Sequence, residues 1–273
     1  MSFLETKTVP KAFILLSHER SGSHLVGDFL GTLAGFRMFD EVCNPDAVKP
    51  GKHAESFYKF KYDAIQKDPR LLLEPSIKLH REFVKTYFDH LHTLGRAPLF
   101  GVDVKYGHVH DFEWFWWPML ERPALFSICE ENDIGIVHLY RSNVVEATVS
   151  GLIASRRKIW HSWQVKEGEA TDKPVKLPPY EVVRKAKLLE RQTGLFREWT
   201  AKNKRLEVTY EQVSGELGKR GHVDHAITQF VGAELKKLFQ PRVQKLTRPL
   251  REAVENYEEL KKVCKEAGLG AFI

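Results

Sequence analysis

The chain has 273 residues, of which 42% are apolar and 29% charged, with a formal net charge of +6. That balance is ordinary for a folded globular chain, so neither disorder nor two equal domains is expected, and one domain over residues 1–273 is predicted. The basic surplus favours an anionic ligand, whereas scattered lysines and arginines without an RNA-binding or zinc-finger signature argue against a nucleic-acid partner.

In chain order, "AFILLS" (12–17) is a continuous apolar run of β-formers and predicts a buried strand. After the turn "SHERSGSH", Leu25, Val26, Phe29, Leu30 and Leu33 make a helical stripe that Gly35 is expected to close. A second stripe, Ile77, Val84, Tyr87, Phe88, Leu91 and Leu94, ends at Gly95. "LFGVDVK" (99–105) and "GIVHLYR" (135–141) are strand candidates, the latter followed by Asn143 and Glu146 in capping-box spacing and by the stripe Val144, Val145, Val149, Leu152 and Ile153. "KEGEATDKPVKLPPYE" (166–181) predicts a long loop of the kind used as a lid, expected over about residues 164–180. "RLEVTYE" (205–211) is a further strand candidate, and a last helix starts at Pro249 with Leu250, Val254, Tyr257 and Val263 on its face. Strands alternating with helices predict an α/β fold with a central parallel sheet flanked by helices. No apolar run reaches transmembrane length and no charged-then-apolar leader precedes Ala12, so the expectation is a cytoplasmic protein without an integral membrane segment. Cys43, Cys129 and Cys264 lack the spacing of a zinc site or a disulfide framework and read as reduced packing residues; no metal is expected.

The turn after the first strand has phosphate-cradle chemistry. Gly22 lets backbone approach a ligand, Ser21 and Ser23 bring hydroxyls, Arg20 brings a guanidinium fork, and the helix start brings bare amides. It lacks the Gly-Lys-Ser/Thr ending of a Walker A loop.

This turn resembles the 5′-phosphosulfate loop of sulfotransferases that use 3′-phosphoadenosine-5′-phosphosulfate (PAPS). "HLYRSNVVEATVSGL" is similar to that family's 3′-phosphate motif, and "ASRRKIW", "VTYEQV" and "LTRPLREAVENYEEL" look most like the bacterial Nod-factor and trehalose branch. The resemblance runs from about residue 12 to residue 260 and implies a three-layer P-loop-like fold. It further implies sulfuryl transfer from PAPS to a hydroxyl of a carbohydrate or glycolipid, with 3′,5′-adenosine bisphosphate as product and no metal. Arg20, Ser21, Gly22, Ser23 and the amide of His24 then hold the 5′-phosphosulfate, Arg141 and Ser150 hold the 3′-phosphate, and Tyr210 and Arg248 reach the nucleotide. Lys105 balances charge on the leaving group, and Glu41 is the general base, with His108 as the competing choice. Trp114, Trp116 and Trp117 are either a sugar platform or core packing, and Trp160 would line the acceptor opening. The expected partner is a small-molecule or glycan acceptor, and a homodimer stays open. The competing functions are a small-molecule kinase on a similar scaffold and a non-catalytic nucleotide-binding protein.

Overall fold

Ala12–Ser17 forms strand β1, buried along its whole length. It is apolar on both faces because it is covered on both. The computed structural model describes residues 11–44, 54–73, 76–113, 121–159, 173–215, 220–236, 239 and 248–273. In it β1 is the middle of a five-stranded parallel sheet. The order is β2 (Phe36–Glu41), β3 (Leu99–Lys105), β1, β4 (Gly135–Tyr140), β5 (Arg205–Thr209).

The helices are α1 (Ser23–Leu30), α2 (Phe57–Lys67), α3 (Arg70–Leu73), α4 (Ile77–Gly95), α5 (Ala124–Glu131), α6 (Val144–Arg157), α7 (Pro179–Trp199), α8 (Tyr210–Val213), α9 (Arg220–Val231), α10 (Leu250–Ala253) and α11 (Tyr257–Glu266). The alternation along β1 divides them. Phe13 and Leu15 pack with Val26, Phe29 and Leu30 of α1 and with Ile227 and Val231 of α9. Ile14 and Leu16 pack on the opposite face with α4, α5 and Phe196 of α7. The β1-to-β2 connection runs one way along the sheet and the later connections run the other way, so crossovers of one hand put α1 opposite α4, α5 and α7. The connection leaving β1 therefore diverges from those leaving its neighbours β3 and β4. Such divergence opens a crevice at the carboxyl end of the sheet. A third apolar cluster, built from α6, α7, α10 and α11, lies outside the two sheet faces.

Tertiary contacts move several boundaries away from the sequence pattern. Helix α1 stops at Leu30, before Leu33, because the chain leaves it to pair with residues 234–236: Ala34 N donates to Glu234 O at 2.8 Å and Lys236 N to Thr32 O at 2.9 Å. Gly35, with φ 68°, turns the chain into β2 instead of closing the helix. Helix α4 keeps its predicted span, but Ile77 and Leu94 lie exposed while His80, Phe83, Val84, Tyr87, Phe88 and Leu91 form its buried face. The C-terminal helix is broken into α10 and α11. Val254 bridges to Val175, and the Asn256 amide both receives Leu177 N and donates to Leu177 O, each at 2.9 Å. Those bonds also fix the distal part of the expected lid, whose last two residues already belong to α7. Trp114, Trp116, Trp117, Trp160 and the rest of that loop through residue 172 lie outside the described residues. All three cysteines are buried and free. No described helix is long and apolar enough to cross a membrane.

Candidate functional site

The crevice is built from three strand ends. From β1 comes the turn 18–22, in which Arg20 (φ 63°) and Gly22 (φ 88°) both take left-handed backbone. A Cβ at Gly22 would stand 2.7 Å from Cδ2 of Tyr210, so glycine is required by conformation and by contact. Gly22 is also the N-cap of α1 and brings no capping side chain, leaving the positive end of that helix open to an anion. Ser21 is fully buried and its hydroxyl donates to His18 O at 2.7 Å, which closes the turn and spends that hydroxyl within the chain.

From β3 comes Lys105, 3% exposed, whose Nζ donates to Ser23 Oγ at 2.6 Å, Ser17 Oγ at 3.2 Å and the Asp103 carboxylate at 2.6 and 2.8 Å. Glu41 Oε1 lies 3.4 Å from the same nitrogen. The register explains how Glu41 arrives there. Phe39 pairs with Val102 but Glu41 pairs with Asp103, so one residue, Asp40, is bulged out. In a regular ladder Asp40 would oppose Asp103; the bulge substitutes Glu41 and aims it at the end of β3. Lys105 and Glu41, expected from sequence as charge balance and base, thus meet directly.

From β4 comes Arg141, the first residue past the strand and 4% exposed. Its guanidinium lies over the Tyr210 ring at 4.3 Å, and its Nη2 is 2.8 Å from Glu146 Oε1. That ion pair is not aligned as a hydrogen bond, and neither Nη2 nor Nε of Arg141 has a hydrogen-bond partner among the described residues. Arg20 reaches across to α6, where its Nε donates to Ser150 Oγ at 3.4 Å. Burial first, and then the neighbouring Arg141, lower the Arg20 pKa. Arg20 and the neighbouring Arg141, the latter with two buried nitrogens that make no hydrogen bond among the described residues, have the chemistry to receive an anion with several oxygens.

The supporting shell was not all foreseen. Asn143 caps α6 by accepting from Glu146 N at 2.9 Å, but the Glu146 carboxylate turns to Arg141 and does not complete a capping box. Glu211 caps instead: it receives Ser142 N at 3.1 Å, Ser142 Oγ at 2.6 Å and Asn143 N at 3.3 Å. Burial pushes the Glu211 pKa up, but these hydrogen bonds outweigh it and the net shift is downward. Strands β4 and β5 end one and two residues before the predicted limits, which puts Arg141 on the crevice and Tyr210 at the head of α8.

His24 stands in the first turn of α1 and, with Ser23, Arg37, Asp40 and Asp103, lines a cavity of about 340 Å³ between α1 and β2. His108 is half-buried on the 3₁₀ turn Tyr106–Phe112 and is not among the partners of Lys105. Arg248 is exposed just ahead of α10. The structure therefore gathers Arg20, Ser21, Gly22, Ser23, Glu41, Lys105, Arg141, Ser150 and Tyr210, with His24 on their border. Ser17, Asp103 and Glu146 are additions. Asp103 carried a readable signal: a carboxylate two places before a lysine on an otherwise apolar strand shares its face and needs its charge. Among the described residues no cluster of His, Cys, Asp and Glu is placed to hold a metal ion.

No protein-family model matches the sequence, and no curated protein is similar enough to name a relative.

Proposed function

We propose that this chain is a PAPS-dependent sulfotransferase with a P-loop-like fold, moving a sulfuryl group to a hydroxyl of a carbohydrate or glycolipid. The observation that carries the reading is the pairing of two anion-seeking ends: the uncapped α1 start with Arg20 and Lys105, and buried Arg141 on the side where Arg20 meets Ser150. PAPS has an anionic group at each end of its adenosine, and the unspent donors of Arg141 fit such a ligand.

When bound, PAPS supplies the sulfuryl group and its leaving oxygen. The amides of the 20–24 turn, Arg20 and Ser23 would hold the 5′-phosphosulfate; Arg141 and Ser150 would hold the 3′-phosphate; Tyr210 forms the wall between them. Arg248 is assigned to the nucleotide by family resemblance alone. Lys105 Nζ, already bonded to Ser23, counters negative charge at the helix start. Glu41, on the same nitrogen and partly solvent-accessible, accepts the proton of the acceptor hydroxyl through its carboxylate. Both oxygens of Asp103 are bound to Lys105, which disfavours the kinase reading, where a carboxylate on the strand beside β1 would be needed for magnesium.

Calorimetric titration with 3′,5′-adenosine bisphosphate and with ATP, each with and without magnesium, tests the reading. Metal-independent binding of the bisphosphate is expected. Arg141→Ala should weaken it by about 10- to 100-fold, the loss of a charge-assisted contact of roughly 1.5–3 kcal/mol. Preference for ATP with magnesium would instead support a kinase, and binding without sulfuryl transfer to any acceptor would support a non-catalytic nucleotide pocket.

A further inference from the structure

His18 is the first residue after β1 and stands where the ends of β3 and β4 flank that strand. It is 3% exposed, and no sequence motif singled it out. Its Nδ1 lies 2.5 Å from Glu19 O. A carbonyl oxygen only accepts, so Nδ1 carries the proton and, in the neutral ring, Nε2 carries the lone pair. That Nε2 is buried and has no hydrogen-bond partner among the described residues. The groups facing the ring are Glu19 from its own turn, Lys105 and Tyr106 from the end of β3, and His138 and Arg141 from β4. Tyr106 and His138 are joined to each other, hydroxyl to Nε2 at 2.6 Å.

A lone pair is the wrong group to present to an anion, and a buried acceptor without a donor is rare enough to need a reason. Both difficulties vanish if the ring gains a proton when an anion arrives. We propose that His18 is a ligand of the bound anion and takes up one proton from solvent as the anion enters, Nε2–H then donating to a phosphate or sulfate oxygen while Nδ1–H stays on Glu19 O. This rests on the anion-site reading above and adds to it a fourth cationic donor that exists only in the complex.

The direction follows from the surroundings. Without a ligand, burial, with Lys105 and Arg141 adding to it, holds the His18 pKa down at about 4, so the ring is neutral in ordinary buffers. One negative charge at contact distance in a half-screened site raises an imidazole pKa by roughly 3 units. The ring would then be charged in the complex at about pH 6 and mostly neutral at about pH 8, so that wild-type affinity gains about 10-fold between the two.

The test is nitrogen NMR of the full chain labelled at histidine, at about pH 6, with His18→Gln identifying the resonance. Saturation with 3′,5′-adenosine bisphosphate should move Nε2 from the lone-pair to the N–H region, and adenosine alone should not. The affinity arm compares wild type with His18→Gln at both pH values, which cancels titration of the ligand's own phosphates; the extra gain at low pH should disappear in the variant. An Nε2 that keeps its lone pair at saturation, or an unchanged pH dependence in His18→Gln, overturns the proposal while leaving the nucleotide reading intact. Inorganic pyrophosphate separates the two ideas: proton uptake with pyrophosphate but no binding of the bisphosphate upholds His18 and removes PAPS, and failure of both to bind overturns both. Should His18→Gln not fold, sequential assignment of the uniformly labelled wild-type chain identifies the His18 ring instead, and the wild-type titration then decides the matter.

Discussion

Replacing Lys105 with Met tests how the cluster is held together. Lys105 and Asp103 are each 3% exposed and share contacts of 2.6 and 2.8 Å, which puts them in the buried regime and not among surface pairs worth about 0.2–1 kcal/mol. Removing the ammonium leaves the Asp103 carboxylate buried without its counter-charge. The other neighbours of Lys105 cannot compensate, because Ser17 and Ser23 supply only hydroxyls and Glu41 adds more negative charge. The expected loss is about 3–5 kcal/mol, a large part of the roughly 5–15 kcal/mol that keeps a domain folded. The double variant Lys105→Met, Asp103→Leu removes both charges and fills their space with apolar groups, so it should recover to within about 1 kcal/mol of wild type. Urea denaturation followed by circular dichroism measures both, and calorimetry with 3′,5′-adenosine bisphosphate should find binding strongly weakened in each. A double variant as unstable as Lys105→Met would refute the argument that the lost counter-charge is the cause.

Glu41→Gln keeps size and hydrogen bonding but cannot take a proton, and should lower kcat about 10²- to 10⁴-fold at nearly unchanged bisphosphate affinity; full turnover there with loss in His108→Gln would transfer the role of base to His108. Burial lowers the pKa values of His18, His80 and His138 from 6.5 to about 4. Depressed values stabilise the fold above pH 6.5 by up to about 3 kcal/mol each, and this is lost as pH falls through 4, so ligand-free protein should unfold in acid with proton uptake; a flat urea midpoint between those limits would contradict it. Burial raises the Glu113 pKa from 4.5 to about 7, against the amides of Leu125 and Ala124. Its contribution has the opposite sign, complete below pH 4.5 and lost as pH rises through 7, so Glu113→Gln should be more stable than wild type at pH 8, by up to about 3 kcal/mol in urea titrations. Equal stability there would show that the carboxyl is not held protonated.

Where local physics and tertiary contacts agree, the sequence was sufficient. β1 and the first four residues of β3 are apolar because both faces are covered, and the start of α6 is set by the Asn143 cap, so all three elements lie at their expected positions. That the chain turns at Gly22 was legible for a similar reason, since glycine answers a local backbone need there. Missing were features decided by distant chain. The bulge at Asp40 exists only against β3, the early end of α1 depends on residues 234–236, and the split between α10 and α11 depends on Val175 and Leu177. Glu146 satisfied a local motif in spacing, yet Arg141, five residues earlier and buried, was the stronger claim on its carboxylate. Edge strand β2 escaped the search for strands because only one residue in three along it is buried, which hides the period of two.

Four charged groups in the crevice are delivered by four different connections: Arg20 after β1, Glu41 at the end of β2, Lys105 at the end of β3 and Arg141 after β4. No contiguous fragment carries the set, and parallel neighbours are joined only by long crossovers, so the pocket is among the last things the chain can complete. An anion that binds there binds nothing earlier on the folding route. It would act as a clamp on the finished topology, adding about 2.7 kcal/mol at a hundredfold excess over its Kd, and the protein would be least protected from proteolysis during synthesis, before Arg141 has closed the ring of charge.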